Sequence, residues 1–313
     1  MGREYKKVLI CVDGSDSALE TIQYVSNMLP PEMVDIVLFH VRTPIPEDLW
    51  DLEKGSEFHS QLAPVAAWAM QQESEIRSFM SKAKHILTEA HFPEEKIIPT
   101  IRDKRAGVAR DLIQESQEGY HAVVVGRRGF SRLKELILGS VATKLIERAS
   151  NVPIWVVGKT PKTGKILLAV DGSGEAVRAS DYVGALMGGA DVEITLFHAI
   201  KGIGMTEKKY KEHSITQIDE EWMKKAGTAT DPVFHDVRNR LVAAGLNPNK
   251  ITTKVMTGVS SRAGAIVGEA EEGGYGTIVM GRRGKHKVQE FSMGRVTNKV
   301  IQLAREMAVW VIN

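Results

Sequence analysis

Three glycines and a serine stand at positions from which they could together bind an anion. In the stretch VVVGRRGFSRLKELILGSVATKL, an apolar run ends at Gly126, Gly129 follows after two residues, and Gly139 and Ser140 follow after nine more. A glycine at a strand end lets the chain turn with positive φ and lets a ligand reach bare backbone. The periodic run VATKLIERA predicts a helix that begins near Ser140. Free N–H groups and the dipole at that helix start, with the serine hydroxyl, favour a phosphate or nucleotide.

The same kind of chemistry recurs because the chain repeats itself. KKVLICVDGSDSALETIQYV, from Lys6, matches GKILLAVDGSGEAVRASDYV, from Gly164. The pairs DIVLFHV and EITLFHA, YHAVVVGRRG and YGTIVMGRRG, and VPIWVV and MAVWVI follow in the same order. Such long repeats exclude a solenoid, whose units are roughly 20–50 residues. The sequence predicts two duplicated domains, residues 1–158 and 165–313, joined by the Gly-, Pro- and Lys-containing linker GKTPKTGK.

Each repeat alternates short apolar runs with helix-like segments. The predicted strands are 7–12, 34–41, 95–101, 121–126 and 153–157, then 165–170, 192–199, 250–256, 276–281 and 308–312. The predicted helices of the first repeat are about 16–29, 65–91, 106–118 and 139–149. Runs such as HAVVVG are apolar at nearly every position, which is typical of parallel strands covered on both faces. We therefore predict two α/β domains, each a doubly wound, mostly parallel five-stranded sheet of Rossmann-like type, related by internal duplication.

In such sheets a ligand binds beyond the carboxyl ends of the strands, where the strand order reverses. The segments VDGS, at 12–15 and 170–173, and the two GRRG segments follow predicted strands and are expected at that edge.

Composition and charge exclude several classes of protein. The 313 residues carry a net charge of only +2, which gives no case for a nucleic-acid or membrane-surface partner. Cys11 is the only cysteine, so a disulfide framework and a CxxC site are excluded. The apolar run after the basic start is too short for a signal peptide, and no run approaches the roughly 20 residues of a membrane span. We expect a cytoplasmic protein.

The sequence lacks the motifs of common nucleotide enzymes and hydrolases. It contains no G-x-x-x-x-G-K-[ST], no G-x-G-x-x-G after the first strand and no G-x-S-x-G. We therefore assign no catalytic residue. Slow hydrolysis of a bound triphosphate stays open, although nothing in the sequence identifies a base for it.

The pattern G-x2-G-x9-G-[S/T], together with V-D-G-S at the first strand end, resembles the ATP-binding signature of the universal stress protein family. The resemblance covers both halves and implies a tandem of two such domains with an adenine nucleotide alpha hydrolase-like fold. It implies that ATP, AMP or ADP binds, with Mg²⁺ accompanying ATP. By this resemblance Asp13 contacts the adenine or ribose, with Cys11 and Val12 beside it, and Val41 meets the adenine through its backbone. The ribose and phosphates are then surrounded by Gly126, Arg128, Gly129, Gly139, Ser140 and Val141.

The second repeat keeps most of this pattern. Asp171 and Ala199 keep the adenine side, and the phosphate side keeps Gly281, Arg283, Gly284 and Gly294. Arg295, however, stands where the resemblance requires Ser or Thr. The arginine could neutralise a phosphate or fill the place of one, so both outcomes stay open.

Several of these residues also have a purely structural interpretation. Gly126 and Gly281 could serve tight strand–helix turns, and Asp13 and Asp171 could cap the following helices. We expect one arginine of each GRRG pair to contact phosphate and the other to lie in water. His40 and His198 are expected to pack against the sheet rather than bind metal, because no second ligand stands at metal-site spacing. Residues 43–64 are interpreted as a surface loop or as a lid over the first site.

Two hypotheses about function follow. The favoured one is a nucleotide-binding stress or signalling module, in which ATP occupancy sets conformation or partner choice. The other is a scaffold that has lost the nucleotide and works through pairing surfaces. In either case we expect the last strands of the two repeats to pair within the chain. A homodimer of the whole chain stays open.

Overall fold

A computed structural model of the chain describes residues 6–43, 59–128, 138–159, 164–202, 230–284 and 293–313. The chain divides into two compact units, residues 1–27 with 31–149, and residues 28–30 with 150–313. Gly129 and most of the predicted loop or lid, residues 44–58, lie outside the described residues. The domain boundary predicted at 158–165 stays a prediction.

The described residues of the first unit form four parallel strands. They are β1 (Lys6–Cys11), β2 (Val34–Arg42), β3 (Ile97–Asp103) and β4 (Ala122–Gly126), in the order β3-β2-β1-β4. The helices of the first repeat are α1 (Asp16–Met28), α2 (His59–Glu89), α3 (Val108–Glu115) and α4 (Ser140–Arg148). Short 3₁₀ turns at Pro31–Met33 and Glu94–Lys96 precede β2 and β3.

Burial of the strands follows their sequence. The apolar run of β4 is buried from Ala122 to Val125, as is β1 from Val8 to Cys11, because helices cover both faces of a parallel sheet. The strand β3 is mostly exposed after Ile97, including the apolar side chains of Ile98 and Ile101. Among the described strands it pairs only with β2, so it forms an edge.

In the second unit, six strands lie in the part of the chain that the structure describes. They are β5 (Ile154–Val157), β6 (Lys165–Ala169), β7 (Glu193–Lys201), β8 (Ile251–Val259), β9 (Thr277–Gly281) and β10 (Ala308–Ile312), in the order β5-β10-β9-β6-β7-β8. All neighbours pair parallel except β5 and β10. The helices are α5 (Gly174–Met187), α6 (Asp231–Ala243), α7 (Arg262–Glu272) and α8 (Arg295–Leu303), with a 3₁₀ turn at Pro248–Lys250.

The strand β5 closes the first repeat in sequence but lies in the second unit. There it runs antiparallel to β10, with Trp155 opposite Trp310. The two indole rings are fully buried and stack with centroids 3.8 Å apart and planes 4° from parallel. This pair of matched sequences, VPIWVV and MAVWVI, therefore contributes one continuous apolar layer to the core of that unit.

The predicted mostly parallel α/β fold with internal duplication is confirmed. In each unit the first strand of the repeat lies between two others, β1 between β2 and β4, and β6 between β7 and β9. The strand order reverses there, and the carboxyl ends diverge to leave a crevice. No helix in the described part of the chain is long and apolar enough to cross a membrane.

Candidate functional site

The first unit has a cavity of about 460 Å³ at the carboxyl ends of β1, β2 and β4. The start of α4 closes one side of this first cavity. Nine residues predicted from the sequence line it: Cys11, Val12, Asp13, Val41, Gly126, Arg128, Gly139, Ser140 and Val141. Gly129 lies outside the described residues. The fold thus brings together residues more than a hundred positions apart, while their role as nucleotide ligands stays a prediction.

Asp13 organises the turn between β1 and α1. The backbone N–H and the hydroxyl of Ser15 both donate to Oδ1 of Asp13, at 3.0 and 2.6 Å. Oγ of Ser15 in turn accepts from the backbone N–H of Ala18, at 3.2 Å. Ser15 is therefore the residue that caps α1, and Asp13 holds the capping residue in place. Gly14 between them has a φ of 90°, which a residue with a side chain rarely adopts.

The second repeat builds the same turn. Ser173 donates its backbone N–H to Oδ1 of Asp171, at 2.9 Å, and accepts from the N–H of Ala176, at 3.2 Å. Gly172 has a φ of 71°. The aspartate is thus a structural part of the turn in both repeats, and this role leaves it on the cavity wall.

In each repeat, the histidine of the second strand bonds to the residue just before the aspartate of the turn. Nδ1 of His40 lies 3.0 Å from the carbonyl oxygen of Val12, and Nδ1 of His198 bonds to the carbonyl of Val170. Because a carbonyl only accepts, Nδ1 carries the proton in both rings. Burial lowers the pKa of His40, against the smaller opposing effect of the bond to Val12. The ring is accordingly neutral at pH 7 and ties the end of β2 to the end of β1.

Positive φ was expected at the strand-end glycines, and the structure places it elsewhere. Gly126 and Gly281 do not have it, and Gly139 and Gly294 both have a φ of −67°. Glycine at the strand ends is needed for packing. A Cβ on Gly126 would lie 3.1 Å from Oγ1 of Thr21, in α1. In the second repeat, a Cβ on Gly281 would lie still closer to its nearest neighbour, the Cβ of Glu175 in α5.

The start of α4 is fixed by the strand that precedes it. The backbone N–H of Gly139 donates to the carbonyl of Arg127, at 2.8 Å, which closes the loop between β4 and α4. The N-cap residue of this helix is Gly139, which has no side chain to cap it. Its first N–H groups have no acceptor within the helix, and Gly139, Ser140 and Val141 line the cavity. This wall can therefore receive an anion.

One expectation about the arginine pairs is wrong. Arg128 and Arg283 line the cavities, but Arg127 and Arg282 do not lie in water, since each is only 3% exposed. The N–H of Arg282 bonds to the carbonyl of Ile312, which places the residue beside the end of β10 rather than at the surface. Burial lowers the pKa of Arg282, and the nearby charge of Arg283 adds to this effect.

Helix α2 supplies a wall that the sequence did not reveal. Trp68, Gln72, Glu75 and Ile76 share one face of this helix and line the first cavity. The helix is held in place by its buried apolar residues, such as Phe79 and Met80. Arg42, at the end of β2, forms an exposed ion pair with Glu73 of this helix, at 3.7 Å, and a second ion pair with Asp103, at 2.6 Å. The spacing of the four residues indicates a common helix face, but nothing local shows what that face contacts.

The second unit has a cavity of about 670 Å³ in the equivalent place. All seven predicted residues line this second cavity: Asp171, Ala199, Gly281, Arg283, Gly284, Gly294 and Arg295. A Cβ on Gly284 would lie 2.6 Å from Oδ2 of Asp171, so the glycine lets the loop approach the carboxylate. Lys201 and Arg262 also line this cavity and were missed, because neither belongs to a recognised motif.

No group of three or more His, Cys, Asp or Glu within the described ranges could hold a metal ion.

Comparison with known proteins gives a consistent result. The model of the Universal stress protein family matches residues 4–158 and again 162–312. Universal stress protein MJ0577 of Methanocaldococcus jannaschii is 26% identical over 169 residues, covering 49% of this chain and 94% of its own. Universal stress protein YxiE of Bacillus subtilis is 27% identical over 146 residues, covering 45% and 93%. A universal stress protein structure from Archaeoglobus fulgidus covers 97% of both chains at 17% identity, with a TM-score of 0.58, and supports the fold.

Proposed function

Because this chain belongs to the universal stress protein family, as a tandem of two family domains, we propose that its first repeat binds an adenine nucleotide in the first cavity. ATP is the proposed ligand, with AMP and ADP as the alternatives. Occupancy of the cavity then sets the conformation or partner choice of a stress or signalling module.

The observation that carries the proposal is the convergence of the predicted ligands on one cavity. Nine residues from four separate segments line a space of about 460 Å³, within the usual range of small-molecule sites. One end offers the apolar and backbone groups of Val12, Val41 and Ile76 to a base. The other end offers the start of α4 and the charge of Arg128 to phosphates.

Each residue has a chemical role in this proposal. The carboxylate of Asp13 accepts hydrogen bonds from the ribose or the base, and the Ser140 hydroxyl donates to a phosphate oxygen. Arg128 neutralises phosphate charge. Mg²⁺ accompanies ATP through phosphate oxygens and water, and we assign it no protein ligand. We also assign no catalytic residue, so slow hydrolysis is an outcome to be measured rather than a proposed activity.

Titration of the full chain with AMP and ATP tests the proposal. In the Asp13→Asn, Ser140→Ala variant, the amide oxygen of the substituted side chain can still accept from Ser15, so the turn is kept. The charged acceptor and the hydroxyl donor are lost from the first cavity, and we expect the affinity of the chain for AMP to fall at least about tenfold. The matched control is Asp171→Asn in the second repeat. Unchanged AMP affinity in the double variant, or no AMP or ATP binding by the unmutated protein, would overturn the proposal.

A second candidate function is a scaffold that works through strand pairing. We propose that the last strands of the two repeats pair within the chain, and the antiparallel ladder between β5 and β10 supports this. Pairing between copies of the chain and a cytoplasmic location stay predictions. The scaffold hypothesis would be supported if neither cavity binds a nucleotide and the strand pairing is necessary for folding.

A further inference from the structure

The two cavities differ in charge although they occupy equivalent places. Among described residues, the first is lined by two cations and two carboxylates: Arg42, Arg128, Asp13 and Glu75. The second is lined by four cations and one carboxylate: Lys201, Arg262, Arg283, Arg295 and Asp171. The second cavity therefore carries a marked excess of positive charge.

The excess arises at three equivalent positions. Thr43 and Lys201 both stand three residues after the histidine of the second strand in their repeat. Val108 and Arg262 are the first residues of α3 and α7, and Ser140 and Arg295 are the first residues of α4 and α8. All six line a cavity. At three separate points on the wall, the second repeat thus has a cation where the first repeat has a neutral residue.

Among the described residues, no carboxylate forms an ion pair with the added charges. In the part of the chain that the structure describes, none of Lys201, Arg262, Arg283 and Arg295 forms an ion pair. Arg42 of the first cavity, in contrast, is paired with Asp103. The one carboxylate on the second wall, Asp171, accepts from Ser173 and lies against Gly284.

Four like charges around one cavity repel each other, and an anion that reaches all of them relieves the repulsion. Arginine suits phosphate especially well, because its planar guanidinium donates two parallel hydrogen bonds to phosphate oxygens. The three added cations come from the end of β7, the start of α7 and the start of α8, so a single small anion would not span them as well as a chain of phosphates.

We propose that the second cavity binds a condensed phosphate, a chain of three or more phosphoryl groups recognised by its charge. The shared chemistry is the phosphate chain, either free as inorganic polyphosphate or as the tail of a nucleoside triphosphate. The cavity selects phosphate charge, whereas the first repeat is proposed to select an adenosine moiety. This inference stands apart from the nucleotide proposal, because it concerns different residues and a different ligand feature.

Calorimetric titration of the full chain with inorganic tripolyphosphate tests the inference. The variant Lys201→Thr, Arg262→Val, Arg295→Ser gives the second cavity the neutral residues of the first. We expect its tripolyphosphate affinity to fall at least about tenfold, since charge-assisted hydrogen bonds are lost. The control Lys144→Thr, Lys299→Thr, Arg305→Ser removes the same charge from exposed positions outside both cavities, and should bind as the unmutated chain does.

The single variant Arg262→Gln provides a milder test should the triple variant fold poorly, and we expect a smaller loss in the same direction. Equal tripolyphosphate affinity in the cavity variants and the surface control would overturn the inference. So would the absence of tripolyphosphate binding at low salt.

Competition by other ligands distinguishes the two sources. ATP and tripolyphosphate competing equally would support recognition of the phosphate chain alone, and stronger competition by ATP would identify a nucleotide tail as the source. Displacement of tripolyphosphate by AMP at similar concentration would contradict recognition by charge. Loss of AMP binding in the Asp13→Asn, Ser140→Ala variant with tripolyphosphate binding unchanged would separate the two sites.

Discussion

In the second repeat, a Cβ added to Gly281 would lie 2.7 Å from the Cβ of Glu175 and 3.1 Å from its carbonyl carbon. Glu175 lies in the first turn of α5, is only 6% exposed, and accepts a hydrogen bond from the backbone N–H of Arg283. The strand end and the helix start are thus in direct contact, so the glycine of this motif serves packing as well as the cavity.

From this contact we predict that Gly281→Ala destabilises the protein by about 1–3 kcal/mol, the usual cost of overpacking a tight core. Gly126→Ala should cost less, because its nearest neighbour is the hydroxyl of Thr21, at 3.1 Å, rather than helix backbone. Urea unfolding of both variants, without nucleotide, measures the difference. Equal stability of the two variants would contradict the packing argument.

Trp68 should report ligand binding at the first cavity. It is 50% exposed and lines the cavity, whereas Trp155 and Trp310 are fully buried. We expect ATP to change the tryptophan fluorescence of the chain and Trp68→Phe to remove most of that change. If the indole contacts the base, affinity should also fall about two- to tenfold.

The matched control for Trp68 is Met70→Leu, on the same helix, 73% exposed and not part of the cavity lining. Its ATP affinity should equal that of the unmutated chain. A fluorescence change that persists fully in Trp68→Phe would place the ligand elsewhere.

His40 should make the protein less stable in mild acid. Burial lowers its pKa in the folded state below the unfolded value of about 6.5, so the unfolded chain binds more protons as the pH falls. The stability that the neutral ring contributes is complete above about pH 6.5 and is lost as the pH falls through the lower, folded value. His40→Gln cannot titrate in this range, so its stability should decline less between about pH 7.5 and 5.5.

Urea unfolding at several pH values measures this effect, with the exposed His235→Gln as control. The control should keep the slope of the unmutated protein. A His40→Gln variant with the same slope would show that the ring has no part in the pH dependence.

The strand pair β5–β10 should be necessary for the core of the second unit. Val156 and Val311 are fully buried, and they stand on either side of the paired tryptophans. Val156→Lys with Val311→Lys would bury unpaired charge, so we expect the ladder to open and Trp155 and Trp310 to become accessible to a soluble quencher. Acrylamide quenching measures this.

The control for the strand pair places lysines at exposed apolar positions, Val242→Lys with Leu303→Lys. Quenching should then stay as in the unmutated chain. Tryptophans that remain protected in the strand variant would show that the ladder is dispensable. Small-angle scattering of the unmutated chain that showed two freely tumbling domains would contradict pairing of the repeats within the chain.

Much of the fold could be predicted because its signals are local. Short apolar runs indicated strands such as β2 and β4, and each of these two strands differs from its predicted range by one residue at one end. The repeated segments predicted the duplication, and the motif predicted nine of the residues that line the first cavity and seven of those that line the second. Local hydrophobicity and turn chemistry act along the chain, so they can be recognised without knowing what packs against them.

Only the tertiary structure decided which neighbours those residues have. In the second GRRG motif, Arg282 is buried because β10 lies beside it, whereas Arg283 lines the cavity. Trp68 reaches the first cavity because buried residues such as Phe79 and Met80 pack α2 into the core of the first unit. Lys201 and Arg262 reach the second cavity because β7 ends and α7 begins at one crevice. The sequence by itself determined the strands, helices, repeat and motif. The charge and shape of each cavity were decided by long-range packing, which no local pattern encodes.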